Sequence, residues 1–304
     1  MTEGAPGVAR GSLAPVAATL SVLVAAFAFS SISIATVIAT RAGASLTTVV
    51  TGRFLLAALL LVPLIGGWRA LRIGRAHAQR IVVWGGAGQV LVNILNLSAL
   101  EYIPAATTVF LFYTFPAWVA VFAAVRGSER VGGRRVAALL LSLTGIAVII
   151  GTPGAAPISP IGASLALSAA VVYALYIPLL RQLQTGTTSK IATFYIAIGV
   201  CVMLGVYGAL RGDFTWPVAP PALGAIAWLA LVPTVVAFQL LLRGLETLGP
   251  VRTAIISTAE PFCAAILAAL MLGQPITLPA MAGGGLIAIA VLMLQRPERR
   301  PAEG

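Results

Sequence analysis

The stretch LSALEYIPAATTVFLFYTFPAWVA, residues 97–120, returns 145 residues later as LRGLETLGPVRTAIISTAEPFCAA, residues 242–265. Leu97, Leu100, Glu101, Thr108, Pro116 and Ala120 recur without a gap as Leu242, Leu245, Glu246, Thr253, Pro261 and Ala265. Each copy runs from the end of one long apolar segment, through a short joint carrying a glutamate, into a second apolar segment interrupted by proline. Chance similarity of apolar helices does not readily place the same Leu-Glu pair and the same following proline in both. The chain therefore reads as two related halves, the pattern of proteins that bind a ligand between internal repeats.

The surroundings of that repeat set its solvent. Of 304 residues, 60% are hydrophobic and 9% are charged, against about 25% charged in soluble domains. Eight acidic and 19 basic residues cannot cover such a chain in water, so most of it must face lipid. A helix crossing a hydrocarbon core of about 30 Å needs roughly 20 apolar residues. Ten such segments are legible, at approximately 16–39, 45–65, 81–101, 105–125, 135–151, 161–181, 189–210, 222–243, 251–272 and 276–294. Long Ala/Leu/Val runs without period-two alternation exclude a transmembrane barrel. The first segment is too long for a signal-peptide core and is expected to stay as a span.

The expected fold is thus an all-α membrane protein of ten transmembrane helices, arranged as two five-helix repeats over 1–152 and 158–296 with a tail at 297–304. Five is odd, so the second half must enter the membrane from the opposite face and the repeat is inverted. Placing the amino terminus in the cytoplasm puts sixteen of the 19 basic residues inside, with Arg41 and Arg211 outside and Arg53 within a span. That asymmetry predicts both termini in the cytoplasm. The formal charge of +11 then reports topology and contact with anionic headgroups rather than nucleic-acid binding. Cys201 and Cys263 fall inside spans and read as small apolar packers.

These features resemble the drug/metabolite transporter superfamily, in particular its ten-span EamA-type family. The resemblance is carried by the two five-span halves, Arg53-Phe54 in span 2, the segment from Ala99 to Ala105, and the mid-helix Pro116 and Pro261, with Glu129 and Gly145 resembling the end of a half-repeat. It extends over almost the whole chain and is most similar to bacterial exporters of aromatic and other neutral amino acids. Many relatives carry Trp-Gly-Ser in span 1 where this chain has Phe29-Ser30-Ser31, so no substrate contact is carried over from that span. The resemblance implies a bacterial-type inner membrane location and a central cavity lined by the helices of both halves.

Candidate pathway residues are the polar groups that apolar spans retain. An ionisable side chain at a helix centre costs about 2.5–3.5 kcal/mol on insertion scales and needs a partner or a wet cavity. Only Arg53 and Glu260 lie clearly mid-span. Glu260 reads as a proton-coupling carboxylate or the ligand of a substrate ammonium, the alternative being a structural pair with Arg53. Gln89, Asn93 and Asn96 lie at i, i+4 and i+7 on one helix face, which either lines the pathway or knits helices together. The neighbouring Gly85, Gly86 and Gly88 read as close helix packing. Pro116 and Pro261 are expected to kink spans 4 and 9, freeing the carbonyls of Phe112 and Ser257, and to serve in gating.

The 145-residue register sets Phe112, Tyr113 and Phe115 against Ser257, Thr258 and Glu260. If both helices line the cavity, one wall is aromatic and its mate polar, which suits an amphiphile with an apolar body and a charged amino-acid head; the aromatics could instead face lipid. Tyr173, Tyr176 and Trp228 are secondary candidates, equally readable as packing or interface anchors. Glu101 and Glu246 read as locks on short connections.

The function these residues predict is export of neutral amino acids (aromatic, Thr, Met) by alternating access, the alternative being a carrier of another small metabolite or drug. Phosphorylated substrates need several buried cations, and only Arg53 is available. The only histidine, His77, lies in a basic loop, and no zinc, nucleophile-elbow or P-loop motif is present, so neither an intramembrane enzyme nor ATP drive is expected. A channel would show a repeated filter sequence. No cofactor and no metal site is expected, and the partners are a small-molecule substrate and the lipid bilayer.

Overall fold

Helix ends in an apolar sequence are set by the few residues that can satisfy orphaned backbone groups. Helix Leu46–Ile65 begins at Ser45, whose extended backbone lets Oγ accept the Thr48 amide at 3.1 Å. It ends at Gly66 with φ of +102°, a conformation that glycine adopts without strain. The same corner is tied across the chain, because the Ser45 amide donates to Thr215 Oγ1 at 2.9 Å and the Thr215 amide donates to Thr48 Oγ1 at 2.8 Å. Asp213 to Thr215 follow helix Ser189–Arg211, so one end of each helix is pinned to the other.

The computed structural model describes residues 7–99, 101–103, 105–128, 132–150, 159–272 and 278–295, and all regular structure among them is helical. Leu100, Pro104, Glu129 and the expected tail at 297–304 lie outside the described residues. Among the described residues, six helices are long and apolar enough to cross a membrane: Ala14–Arg41, Leu46–Ile65, Arg75–Ala99, Pro160–Leu183, Ser189–Arg211 and Pro220–Leu248. Phe115–Val125 and Met281–Leu294 are shorter apolar helices.

Prolines 116 and 261 do more than kink. Helix Ala105–Phe112 stops, a turn closes with the Thr114 amide on the Leu111 carbonyl at 3.2 Å, and helix Phe115–Val125 starts afresh with Pro116 in its first turn. Helix Pro250–Ser257 likewise stops, Ala259 bonds back to Ile256 at 3.1 Å, and Glu260–Leu272 follows with Pro261 in its first turn. Tight turns take up the chain where continuous kinked helices were expected, since a first-turn proline forfeits no hydrogen bond.

Lipid tails are as apolar as leucine, so helix association relies on close van der Waals packing between small residues. Gly86 meets Gly199 so closely that a Cβ on Gly86 would stand 2.7 Å from the Gly199 Cα. Gly145 similarly meets the Gly283 carbonyl and Ile287. The pairings run between the two parts of the chain. Gly7–Arg41 packs on Pro220–Leu248, Leu46–Ile65 on Ser189–Arg211, and Arg75–Ala99 on Pro160–Leu183. Phe115–Val125 packs on Pro250–Ser257, and Gly133–Ile150 on Leu278–Gln295.

Candidate functional site

Where these helices converge they leave a cavity of about 220 Å³, room for about seven waters at roughly 30 Å³ each and a small-molecule scale. The polar stripe faces it: Gln89, Asn93 and Asn96 all line the wall. The Asn93 amide nitrogen donates to the Gln89 carbonyl at 2.7 Å and that of Asn96 to the Val92 carbonyl at 3.2 Å. These bonds stay within the helix and hold the amides in place, so the stripe does not knit this helix to a neighbour through them.

The facing surfaces are aromatic and ionic. Phe112, Tyr113, Phe115 and Tyr173 line the cavity. Their rings form one cluster, with Tyr173 5.4 Å from Phe112 and 4.8 Å, edge-on, from Phe115. Ser257 and Glu260 line it as well. Glu260, at the start of its helix, lies against Tyr113 and within electrostatic reach of Arg53.

The Arg53 side chain is built into the wall by a defect in the facing helix. Pro233 has no N–H for the Leu229 carbonyl one turn earlier, and the chain widens there into a π-helical stretch, Ala230–Ala237. The Thr234 hydroxyl donates to that carbonyl at 2.8 Å and accepts the Arg53 Nε–H at 2.6 Å. Phe54 flanks the guanidinium, its ring centroid 5.1 Å from the central carbon. Arg53, Pro233 and Thr234 all line the cavity. Arg53 thus has a hydroxyl partner, and both it and Glu260 face the cavity.

Three expected contacts lie elsewhere. Thr258 is fully buried with its hydroxyl on the Ile255 carbonyl at 2.6 Å. Tyr176 is buried, donates to the Gly85 carbonyl at 2.7 Å, and has its ring where a Cβ on Gly88 would be. It fills the groove that the glycines open beside the π-helical turn Ile81–Gly85. Trp228 is half-exposed, donates to Ser31 Oγ at 3.0 Å, and borders a separate apolar recess with Ile34 and Ile38. Pro116 and Pro261 are buried beside the helix breaks and do not line the cavity.

Sequence reasoning missed the aliphatic and aromatic remainder, Phe29, Phe238 and Leu241 among them. A signal for part of it was present in the 145-residue register. Carried back eight residues, it pairs Gln89 with Thr234, Asn93 with Phe238 and Asn96 with Leu241, and forward it pairs Phe112 with Ser257 and Phe115 with Glu260. All ten residues line the cavity. In four of the five pairs one member is polar or charged and the other apolar, so the cavity has different chemistry at equivalent positions of the two copies.

Known proteins place this architecture. The chain is 27% identical over 232 residues to an uncharacterized inner membrane transporter, YicL, of Salmonella typhimurium, covering 75% of this chain and 76% of that protein. It is 26% identical over 217 residues to an uncharacterized transporter of Archaeoglobus fulgidus, covering 69% and 75%. An uncharacterized transporter of Bacillus subtilis, YcbK, is 29% identical over 202 residues, covering 64% and 65%. A solved crystal structure superposes with a TM-score of 0.73 at 22% identity over 91% of this chain and 95% of its own, and shares the fold. The EamA-like transporter family matches twice, over residues 16–151 and 160–296, and the chain belongs to that family of transmembrane transporters.

Proposed function

We propose that this transporter exports neutral amino acids, aromatic ones with Thr and Met among them, from the cytoplasm by alternating access between two inverted five-helix halves. The observation that carries the substrate reading is the two-sided cavity: an aromatic cluster of Phe112, Phe115 and Tyr173 beside the Glu260 carboxylate and the Gln89, Asn93 and Asn96 amides. The carboxylate takes the substrate ammonium, the rings take its side chain, and the amides accept the remaining polar hydrogens. A two-fold relation of the halves is supported by the helix pairings, since Gly7–Arg41 on Pro220–Leu248 exchanges with Arg75–Ala99 on Pro160–Leu183 while Leu46–Ile65 packs on its counterpart Ser189–Arg211 and Gly133–Ile150 on Leu278–Gln295; an odd number of spans per half then makes it an inverted one. In this reading there are ten crossings, the shorter proline-broken segments complete spans 4 and 9, and both termini are cytoplasmic in a bacterial-type inner membrane. Glu260 is also the group that couples movement to a proton gradient, because a carboxylate in a partly wet cavity exchanges protons.

The test is uptake of labelled Phe, Thr and Met into proteoliposomes with a pH gradient imposed and removed, for the native protein and Glu260→Gln. Protein-dependent flux that responds to the gradient, with loss of that response in the variant, is expected. No flux of any amino acid refutes the substrate, and an unchanged gradient response in Glu260→Gln refutes the coupling role.

A further inference from the structure

What the central site requires of its substrate follows from its cation, on the reading that this site takes amino acids. A guanidinium has five N–H donors in a planar fork matched to a carboxylate. At Arg53 only Nε is bonded among the described residues, to Thr234, and Phe54 covers one flank. Arg53 lines the cavity that also holds Glu260. Thr234 is held in turn by its hydroxyl bond to the Leu229 carbonyl, in the π-helical stretch that contains Pro233. Leu229 carbonyl, Thr234 hydroxyl and Arg53 guanidinium form one chain of hydrogen bonds.

We propose that Arg53 is the carboxylate-binding end of the central site and that Thr234 is the positioning residue that aims it. The site then selects zwitterions: Arg53 holds the carboxylate, Glu260 the ammonium, and the aromatic cluster the side chain. Amines that lack the carboxylate but keep the same body are discriminated against at Arg53. Replacing Thr234 loosens the fork without removing its charge.

The experiment is inhibition of labelled Phe counterflow in proteoliposomes by unlabelled Phe and by 2-phenylethylamine, which lacks the carboxylate. The native protein is expected to prefer Phe by about 10-fold or more, the worth of a charge-assisted hydrogen bond. Arg53→Gln should bring the two inhibitors to within about 2-fold. Thr234→Val should raise the KM for Phe by several-fold with phenylethylamine inhibition unchanged, and Thr234→Ser should restore native values. Parallel weakening of both inhibitors in Thr234→Val, or failure of serine to restore, overturns the positioning role. Should the valine variant not fold, Arg53→Lys provides the measurement: a reduced preference for Phe is expected, and a native preference overturns the fork. Flux of amino acids with an unaltered preference defeats this inference alone, whereas absence of any amino-acid flux in the native protein defeats the underlying reading and this one with it.

Discussion

Substituting Gly86 by alanine tests whether the cavity wall is set by backbone-to-backbone packing. An added Cβ would lie 2.7 Å from the Gly199 Cα, 2.8 Å from its carbonyl carbon and 3.1 Å from the Val200 nitrogen. Carbon atoms pack favourably at about 3.5–4.0 Å, so helices Arg75–Ala99 and Ser189–Arg211 must part by about 1 Å, and no side chain can rotate aside. Overpacking of this kind costs about 1–3 kcal/mol, while alanine gains about 1 kcal/mol over glycine inside a helix. The net expectation is destabilisation of up to about 2 kcal/mol. Gly285, exposed in helix Leu278–Gln295 with nothing within 4 Å of an added Cβ, is the control and should gain up to about 1 kcal/mol as alanine. At about 2–4 °C per kcal/mol for a chain of this order of size, the two variants should differ in Tm by roughly 2–12 °C, read by fluorescence-detected unfolding in detergent. Gln89 lies one helical turn beyond Gly86, so Gly86→Ala should also raise the transport KM. Equal Tm values for the two variants would refute the packing argument.

Three further outcomes follow from placement. Tyr176→Phe leaves the buried Gly85 carbonyl without its 2.7 Å donor and should lower stability by about 1–2 kcal/mol with substrate preference unchanged; thermal unfolding and the inhibitor panel separate the two effects. Trp228→Phe, away from the central cavity, should leave the transport KM within about 2-fold of native, since the lost bond to Ser31 is worth about 1 kcal/mol of stability only; a large KM change would bring Trp228 back to the pathway. Phe115→Ala opens the aromatic cluster beside Tyr173 and should cost about 3–5 kcal/mol as a buried truncation, so Phe115→Leu is the usable variant, with transport of Phe weakened more than transport of Thr.

The long spans were legible because lipid leaves the backbone no alternative to helix: 45–65 and 189–210 fall within a residue of the observed Leu46–Ile65 and Ser189–Arg211. Polar cavity residues were legible for the same reason, since Gln89 in an apolar run must turn inward. Apolar residues carry no such direction. Phe238 and Leu241 face the cavity while Leu231 and Val236 are exposed, and composition treats all four alike. Tyr176 and Tyr173 lie i and i+3 on one helix, yet one fills a glycine groove and the other meets the cavity, a difference set by Gly88 on another helix. Thr234 escaped notice because a threonine in a span is commonplace; its role depends on the proline before it.

The glycine contacts also bear on how the molecule can deform. Helix Arg75–Ala99 is joined to Ser189–Arg211 through bare backbone at Gly86 and Gly199, and to Pro160–Leu183 through the Tyr176 hydroxyl and ring. Surfaces in contact at that range have no lubricating layer of side chains, so sliding or rolling one helix over another meets a steep repulsion. The three helices, one from the first repeat and two from the second, are therefore stiffly coupled where these contacts lie. The short turns at Tyr113–Thr114 and Thr258–Ala259 are breaks in helix, places where the chain can bend without sliding one helix over another.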